Sequence, residues 1–305
     1  MKVNGILTDN ISKIGGISKA NITSINGNKF VNIITDGLKL YLDPFNPRSY
    51  PGTGTTYYDL STNQYNFTVN GPTFNSGSIK YFSFDGVNDY MHGPSGSTSF
   101  DITSAGYTYS CWTYFPTSPD YLDTNFSVAL VLNDLEYPFW WDHRTNDNGS
   151  VASGAGNSFL TAGRNGGTQA VTTIAQTIPT GSWGFYTFRF QYNSTTTCTM
   201  AIYRNNTLLV TENNTASNSG TWSEYSSNRK RYIGAADVYG TITRYSQARY
   251  GQIMYYNRAL STTEMTRNYD NTKKYYGLWI IIRFFKNRNY QQLIGVYSDK
   301  WWFGN

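Results

Sequence analysis

Residues that build metal and disulfide sites are scarce in this sequence. Its 305 residues include two cysteines and two histidines, too few for a zinc finger, an iron–sulfur site or a disulfide framework. Cys111 and Cys198 are predicted to be free, buried thiols. The alternative, a disulfide between them, requires their Cα atoms to lie within about 7 Å, which a sequence does not reveal.

Charge is also scarce, because only 14% of the residues are Asp, Glu, Lys or Arg, against about 25% in an average globular domain. Aromatic residues make up 17%, and low charge with many aromatics argues against disorder. The net charge of +5 is mild, and its one small cluster, residues 228–231, is interpreted as a solvated loop. The sequence therefore predicts no nucleic-acid partner.

Long apolar runs are missing as well. The first 16 residues, MKVNGILTDNISKIGG, lack the apolar region of a secretory signal. The most apolar stretch, residues 278–282, is interrupted by Arg283, well before the roughly 18 residues that a membrane span requires. We expect a protein that neither follows the usual secretion route nor crosses a membrane.

The centre of the chain has the period of β-strands. In Leu38–Leu42 and Phe185–Phe190 every second residue is apolar or aromatic, and turn signals such as Asp85-Gly86 recur at short intervals. One helix is predicted near the end, where Ser261-Thr262-Thr263-Glu264 forms a capping box ahead of Met265 and Tyr269. The pattern predicts an all-β sandwich with one short C-terminal helix.

Both ends of the chain differ from this centre. Residues 1–35 contain short aliphatic units separated by Gly and Asn, and they cannot bury a core alone. They are either an assembly arm or a disordered leader. Residues 278–305 end in Trp301-Trp302-Phe303, and three adjacent aromatics predict a docking tail.

A series of short motifs is spread over residues 36–264 of the β region. The motifs are, in order, Asp36-Gly37-Leu38, Tyr58-Asp59-Leu60-Ser61 with Asn63 and Asn66, Phe84-Asp85-Gly86 with Asn88-Asp89-Tyr90, Tyr109-Ser110-Cys111-Trp112, Trp183 to Phe190, Ile233-Gly234, and Gly251-Gln252-Ile253 leading to Tyr256-Asn257-Arg258-Ala259-Leu260-Ser261 and Glu264. In this order they resemble the laminin-G-like branch of the concanavalin A-like lectin/glucanase superfamily, which is common in structural proteins of tailed phages.

This resemblance implies a two-sheet antiparallel jelly-roll sandwich over residues 36–277, with 1–35 as an N-terminal arm and 278–305 as a C-terminal docking tail. It also implies a multicopy or homo-oligomeric structural protein of the virion, in the capsid decoration, a head fibre or the tail. Residues 1–35 and 278–305 would contact other virion proteins. The same sandwich serves lectins and enzymes, so function has to be argued from sites.

Catalysis is disfavoured by the acidic residues. Glucanases of this superfamily carry Glu-x-Asp-x-x-Glu on one strand, whereas the four glutamates here, Glu136, Glu212, Glu224 and Glu264, begin no such motif. The histidines His92 and His143 have no matched nucleophile in the sequence. We expect a protein that is not an enzyme.

Calcium is the one cofactor that the resemblance suggests, because laminin-G-like domains often hold Ca²⁺ at their rim with oxygen ligands. Asn and Asp also favour turns for backbone reasons, which is the competing interpretation. The candidate ligands lie in two loops: Asp59, Asn63, Asp85, Asn88 and Asp89.

Exposed aromatics with polar neighbours are the remaining candidate site. Tyr and Trp stack on sugar faces while polar groups bind the hydroxyls, and two aromatic stretches have this composition. Their candidate residues are Tyr137, Trp140, Trp141, His143, Trp222 and Tyr225. We predict a non-enzymatic virion structural protein, with a lectin module that binds host surface polysaccharide as the alternative; Tyr-rich surfaces also suit protein contacts.

Overall fold

The structure is a computed structural model. It describes residues 32–94, 106–116, 179–194, 197–215, 230–238, 241–243 and 245–278, and the backbone of the strands outside those ranges. The strands are, in chain order, β1 (Lys2–Val3), β2 (Ile6–Leu7), β3 (Lys13–Ile14), β4 (Ile17–Ser18), β5 (Ser24–Ile25), β6 (Asn28–Lys29), β7 (Leu38–Leu42), β8 (Thr56–Tyr57), β9 (Phe67–Asn70), β10 (Thr73–Asn75), β11 (Tyr81–Ser83), β12 (Tyr90–His92), β13 (Tyr107–Tyr114), β14 (Ser127–Val131), β15 (Trp140–Arg144), β16 (Asn157–Asn165), β17 (Thr168–Thr173), β18 (Trp183–Tyr192), β19 (Thr197–Arg204), β20 (Thr207–Thr215), β21 (Tyr232–Ile233), β22 (Ala236–Val238), β23 (Thr241–Thr243) and β24 (Arg249–Tyr256).

Two antiparallel sheets of eight strands contain most of these elements. The first sheet has the order β10-β11-β24-β13-β18-β19-β20. Strand β7 pairs with the same edge of β24 as β11 does: β11 pairs with the beginning of β24 and β7 with its end. The second sheet has the order β17-β16-β15-β14-β21-β12-β9-β8. In each sheet, hairpins of consecutive strands are joined by pairs of strands that are not consecutive in the chain, such as β13 with β24 and β14 with β21, so the fold also depends on long-range pairing.

The main core lies between the two sheets, and its residues follow the period of two. Tyr186, Phe188 and Phe190 of β18 point into it from the first sheet, while Phe67 and Met91 enter from the second. The predicted alternation of β18 is therefore confirmed. Hydroxyl-bearing aromatics fill much of this core, including Tyr57, Tyr107, Tyr109, Tyr250 and Tyr255.

A helix covers the outer face of the first sheet. Helix α1 (Thr262–Thr272) begins at the predicted capping box, in which Ser261 and Glu264 bond each other's backbone N–H groups, and a 3-10 helix (Lys273–Tyr276) follows. Its buried residues are Met265, Asn268 and Thr272. The Nε1 of Trp112 donates to the Thr272 hydroxyl across 2.9 Å, so the helix is anchored to strand β13.

The chain enters the sandwich beside this helix. Ile33 and Ile34 are buried at 7% and 9% exposure, the Ile34 N–H donates to Asn268 Oδ1, and the Tyr256 hydroxyl donates to the Ile34 carbonyl. The residues at the end of the predicted arm thus pack with the sandwich. Before them, β1–β2, β3–β4 and β5–β6 form three separate two-stranded sheets.

The all-β sandwich with one short C-terminal helix is thus confirmed. The remaining domain divisions, an arm and a tail that dock elsewhere, stay predictions, and residues 279–305 lie outside the described residues. Among the described residues, no helix combines the length and the apolar character that a membrane span needs.

Candidate functional site

The predicted aromatic residues fall in two groups. Tyr137, Trp222 and Tyr225 lie outside the described residues, so their role stays a prediction. Trp140, Trp141 and His143 lie on strand β15, whose backbone is described. These three residues therefore belong to the second sheet, and their role in sugar binding stays a prediction.

Four aromatic side chains meet on the outer face of the second sheet, and we call this set the outer aromatic face: Tyr90, His92, Tyr232 and Tyr245. Met91 and Ile233, which alternate with them, belong to the core between the sheets. The Tyr90 and His92 rings stack at 6.1 Å between centroids, and Tyr232 lies 6.1 Å from Tyr90 and 6.3 Å from His92. Tyr245 joins them at 6.5 Å from Tyr90.

Strand register explains how residues so distant in sequence come together. His92 pairs with Tyr232 on β21 and with Thr68 on β9, and Tyr90 pairs with Asn70. Residues paired across antiparallel strands share a face of the sheet. Thr68 and Asn70 therefore place a hydroxyl and an amide beside the rings, on the same surface.

The same register row reaches strand β15. Tyr232 pairs with Val131 of β14, and Val131 pairs with Trp140. With strands about 4.8 Å apart, this row places Trp140 about 14 Å from His92, three strands away. Of the predicted sugar-binding residues on β15, Trp140 is thus in the row of the outer aromatic face, while Trp141 and His143 occupy the alternate positions.

The outer aromatic face is accessible, and its histidine is biased towards the neutral form. Tyr90, His92 and Tyr245 are partly exposed, whereas Tyr232 is buried. Partial burial and the nearby positive charge of Lys230 lower the pKa of His92, although a contact to the Gly93 carbonyl acts in the opposite direction. A neutral imidazole presents one donor and one acceptor nitrogen.

A second aromatic cluster lies on the outer face of the first sheet, beyond the helix. Arg249 lies over the rings of Tyr114 and Tyr81, at 4.6 and 5.3 Å from the centroids. Trp183 contacts both tyrosines, at 5.7 and 5.4 Å, and it also packs on buried Tyr276. Because the Arg249 guanidinium already occupies the tyrosine faces, this cluster leaves less ring surface for a ligand than the outer aromatic face does.

The candidate calcium ligands are used by the protein itself. The Asp59 carboxylate accepts four hydrogen bonds, from the N–H groups of Tyr41, Ser61 and Tyr65 and from the Ser61 hydroxyl, at 2.6 to 2.9 Å. Asn63 donates to the Lys39 carbonyl. These contacts join the loop to strand β7.

The second candidate loop has similar internal bonds. Asp85 accepts from the N–H groups of Val87 and Asn88, and Asp89 accepts from the N–H of Asp85. Within the described ranges, no three His, Cys, Asp or Glu side chains are grouped closely enough to hold a metal ion. Calcium at these loops, which would also draw on Asn and carbonyl oxygens, stays a prediction.

Three buried residues that could carry chemistry, two cysteines and an aspartate, are held in the core of the structure. Cys111 and Cys198 are buried and form no disulfide, as predicted, and burial raises the pKa of the Cys111 thiol to about 12, which keeps it protonated. Asp43 is buried, and its carboxylate accepts from the Tyr41 hydroxyl and the Phe45 N–H. Burial raises the pKa of this carboxyl.

Solved structures with the same fold are receptor-binding domains of toxins. The ligand-binding domain of botulinum neurotoxin serotype D, in complex with N-acetylneuraminic acid, matches with a TM-score of 0.55 and 13% identity, over 82% of this chain and 53% of that one. The binding domain of Paraclostridial Mosquitocidal Protein 1 matches with a TM-score of 0.54 and 15% identity, over 80% and 54%. The binding domain of botulinum neurotoxin DC, in complex with rat synaptotagmin II, matches with 0.54 and 12%, over 78% and 52%.

These likenesses establish a β-sandwich fold of the kind found in receptor-binding domains. The chain corresponds to about half the length of each of those structures. No family model and no curated protein sequence matches the chain. The laminin-G-like and tailed-phage assignments therefore stay predictions, while the chain has the sandwich architecture of toxin binding domains.

Proposed function

We propose that this chain is a non-catalytic carbohydrate-binding module that holds a glycan on the outer aromatic face of its second sheet. The observation that carries the proposal is the register of β9, β12 and β21. It brings Tyr90, His92 and Tyr232 onto one sheet face beside Asn70 and Thr68. Aromatic rings flanked by neutral polar groups are what a sugar requires of a protein surface.

The chemistry of the face suits a sugar chain rich in hydroxyl groups. The C–H face of a sugar ring packs on Tyr90 or His92, while its hydroxyls bond the Asn70 amide, the Thr68 hydroxyl and a tyrosine hydroxyl. Trp140 lies farther along the same row, so the row offers the length of a short oligosaccharide rather than of one sugar. We therefore expect recognition of a polysaccharide rather than of a monosaccharide.

The toxin domains support the same class of function at the level of architecture. One of them was solved with N-acetylneuraminic acid and another with SialylT, so toxin domains that contain a sandwich of this shape bind sugars. At 12 to 13% identity this likeness extends to the fold, and the proposed site rests on the residues of this chain.

Binding of the chain to arrays and affinity columns of bacterial surface polysaccharides tests the proposal. We expect specific retention that falls tenfold or more, about 1.4 kcal/mol or more, in Tyr90→Ala and in His92→Ala. Tyr81→Ala, which removes a partly exposed tyrosine from the aromatic cluster on the outer face of the first sheet, is the matched control and should bind like the unchanged protein. Thermal melting of all variants verifies folding.

Two results would contradict the proposal. One is the absence of retention on every polysaccharide tested, and the other is unchanged binding in both Tyr90→Ala and His92→Ala. If the variants instead lose the capture of a protein partner, the Tyr-rich surface is a protein interface.

A second proposal, a structural protein displayed on a tailed-phage virion, is supported by the sequence motifs, which resemble those of phage structural proteins. It is compatible with the first, because a virion protein can carry a glycan-binding face. Mass spectrometry of purified particles tests it, and absence of this chain from every particle preparation would exclude it.

A further inference from the structure

The N-terminal segment contains a sequence repeat of 11 residues. Residues 2–12, 13–23 and 24–34 align without a gap, as KVNGILTDNIS, KIGGISKANIT and SINGNKFVNII. Four positions of the unit are constant or nearly so: the second is Val, Ile and Ile, the fourth is Gly, the ninth is Asn and the tenth is Ile in all three units. A fixed period of this kind predicts one structural unit per repeat.

The structure gives each unit the same local form. The three hairpins pair the first and sixth residues of their unit, Lys2 with Leu7, Lys13 with Ser18 and Ser24 with Lys29. The two residues between the strands are Asn-Gly, Gly-Gly and Asn-Gly, which are the sequences that two-residue hairpin connections prefer. Sequence period and strand pairing therefore define the same unit independently.

Each hairpin is incomplete by itself. Its strands have two residues each, and among the described strands none of the six pairs outside its own hairpin. Isolated two-stranded hairpins are marginal in water even with longer strands. In repeat proteins, units that cannot bury their apolar positions alone gain stability when neighbouring units stack.

The third unit shows what its Asn-Ile pair does when it has a partner. Ile33 is buried, and the Asn32 carbonyl accepts from the side chains of Arg267 and Asn271 at 3.2 Å. The first and second units carry the same pair, Asn10-Ile11 and Asn21-Ile22. The helix face that receives the third pair is therefore already occupied, and the other two pairs need another surface.

We propose that residues 2–31 assemble this chain into a homo-oligomer, in which the hairpin units of several copies stack in phase around one axis. A second copy is the partner that carries the same units at the same 11-residue spacing, so every unit meets an identical one. Cyclic assembly of identical chains is also the commonest form of soluble oligomer. The docked Asn32–Ile34 segment fixes where each sandwich joins the oligomer.

Light scattering of the purified full chain tests this proposal through the mass of the particle. We expect an integral multiple of the chain mass of 34.5 kDa, and a monomer after deletion of residues 2–31. Because Ile33 and Ile34 are retained, the deleted protein should keep the melting temperature of its sandwich. Because deletion of a whole terminal segment could also abolish assembly nonspecifically, two internal deletions test whether the 11-residue spacing of the hairpins matters.

Deletion of residues 13–23 removes one complete unit and preserves the spacing, so it should leave the number of chains unchanged. Deletion of residues 19–23 is smaller and keeps all three hairpins, but it places the second and third hairpins out of phase, so it should shift the protein towards monomer. A full chain that is monomeric at every concentration would overturn the proposal. So would a full-chain mass that survives deletion of residues 2–31, or an oligomer that forms only with a different protein.

Discussion

Arg258 and Glu264 form a two-pronged ion pair at the junction between strand β24 and helix α1, with nitrogen–oxygen distances of 2.6 and 3.0 Å. Arg258 also pairs with Asp36 at 2.9 Å, and Glu264 accepts from the N–H of Ser261. The Glu264 carboxylate thus completes the helix cap. Through Arg258 it also connects the helix to Asp36, two residues before strand β7 begins.

This pair makes folding stability dependent on pH. Its hydrogen bonds from Arg258 lower the pKa of Glu264 from 4.5 to about 2. A lowered carboxyl pKa adds stability above the ordinary value, and that stability is lost as the pH falls from about 5 to about 2. Glu264→Gln should lower the free energy of unfolding by about 1 to 2 kcal/mol at pH 7, and it should reduce the further loss of stability in acid.

Urea unfolding from pH 7 to pH 2 measures both effects. Glu212→Gln, on β20, is the control, and equal acid profiles for Glu264→Gln and the unchanged protein would contradict the assignment.

The Trp112–Thr272 hydrogen bond should contribute measurably to the free energy of unfolding, because it satisfies a buried donor. Thr272→Val leaves the buried indole N–H without its acceptor, and an unsatisfied buried donor costs roughly 1 to 3 kcal/mol. Thr263→Val makes the same chemical change on the exposed side of the helix, where about 0.5 kcal/mol or less is expected. Guanidinium unfolding of both variants compares them, and equal losses would show that the bond adds nothing.

Gly251 allows Tyr276 to approach strand β24. A Cβ at position 251 would lie 2.0 Å from the Tyr276 hydroxyl oxygen, and this hydroxyl accepts from the Gln252 N–H at 2.8 Å. Gly251→Ala should therefore displace Tyr276 and destabilise the fold by roughly 1 to 3 kcal/mol. Gly77→Ala, at an exposed turn where the nearest atom is the Asn75 side chain, should change the melting temperature little. A Gly251→Ala protein as stable as Gly77→Ala would refute the close packing.

Asp59 should stabilise the protein independently of calcium. Asp59→Asn replaces one acceptor oxygen with an NH₂ group that faces backbone donors, so we expect a loss of roughly 1 to 3 kcal/mol. Melting curves in EDTA and in millimolar calcium should show the same loss. Asp270→Asn, which removes only an exposed ion pair with Lys273, should have a small effect. A loss seen in calcium but not in EDTA would identify Asp59 as a ligand of the ion.

Features set by neighbouring residues were predictable from the sequence. The Ser261–Glu264 capping box and the alternation of β18 depend on spacings of three and two residues, and both are present. The burial of two cysteines that form no disulfide also follows from composition and context.

Features set by strand pairing were not predictable. His92 and Tyr232 meet because β12 pairs with β21, and neither residue type nor local spacing records which strands become neighbours. His92 was therefore interpreted only as a possible catalytic group, and Tyr232 carried no prediction. The same holds for the hydrogen bond between Asp59, in the loop after β8, and Tyr41 on strand β7.

The entry of the chain at Ile34 and the proposed glycan face lie on opposite outer surfaces of the sandwich, the first beside helix α1 and the second across the core. In an oligomer assembled through residues 2–31, each sandwich would therefore be attached on the side of helix α1, and its outer aromatic face would point away from the point of attachment. Several weak contacts on one polysaccharide then act together, and effective affinity can rise by about 10² to 10⁴ through avidity alone. Each face could bind weakly and release quickly while the whole assembly stays attached.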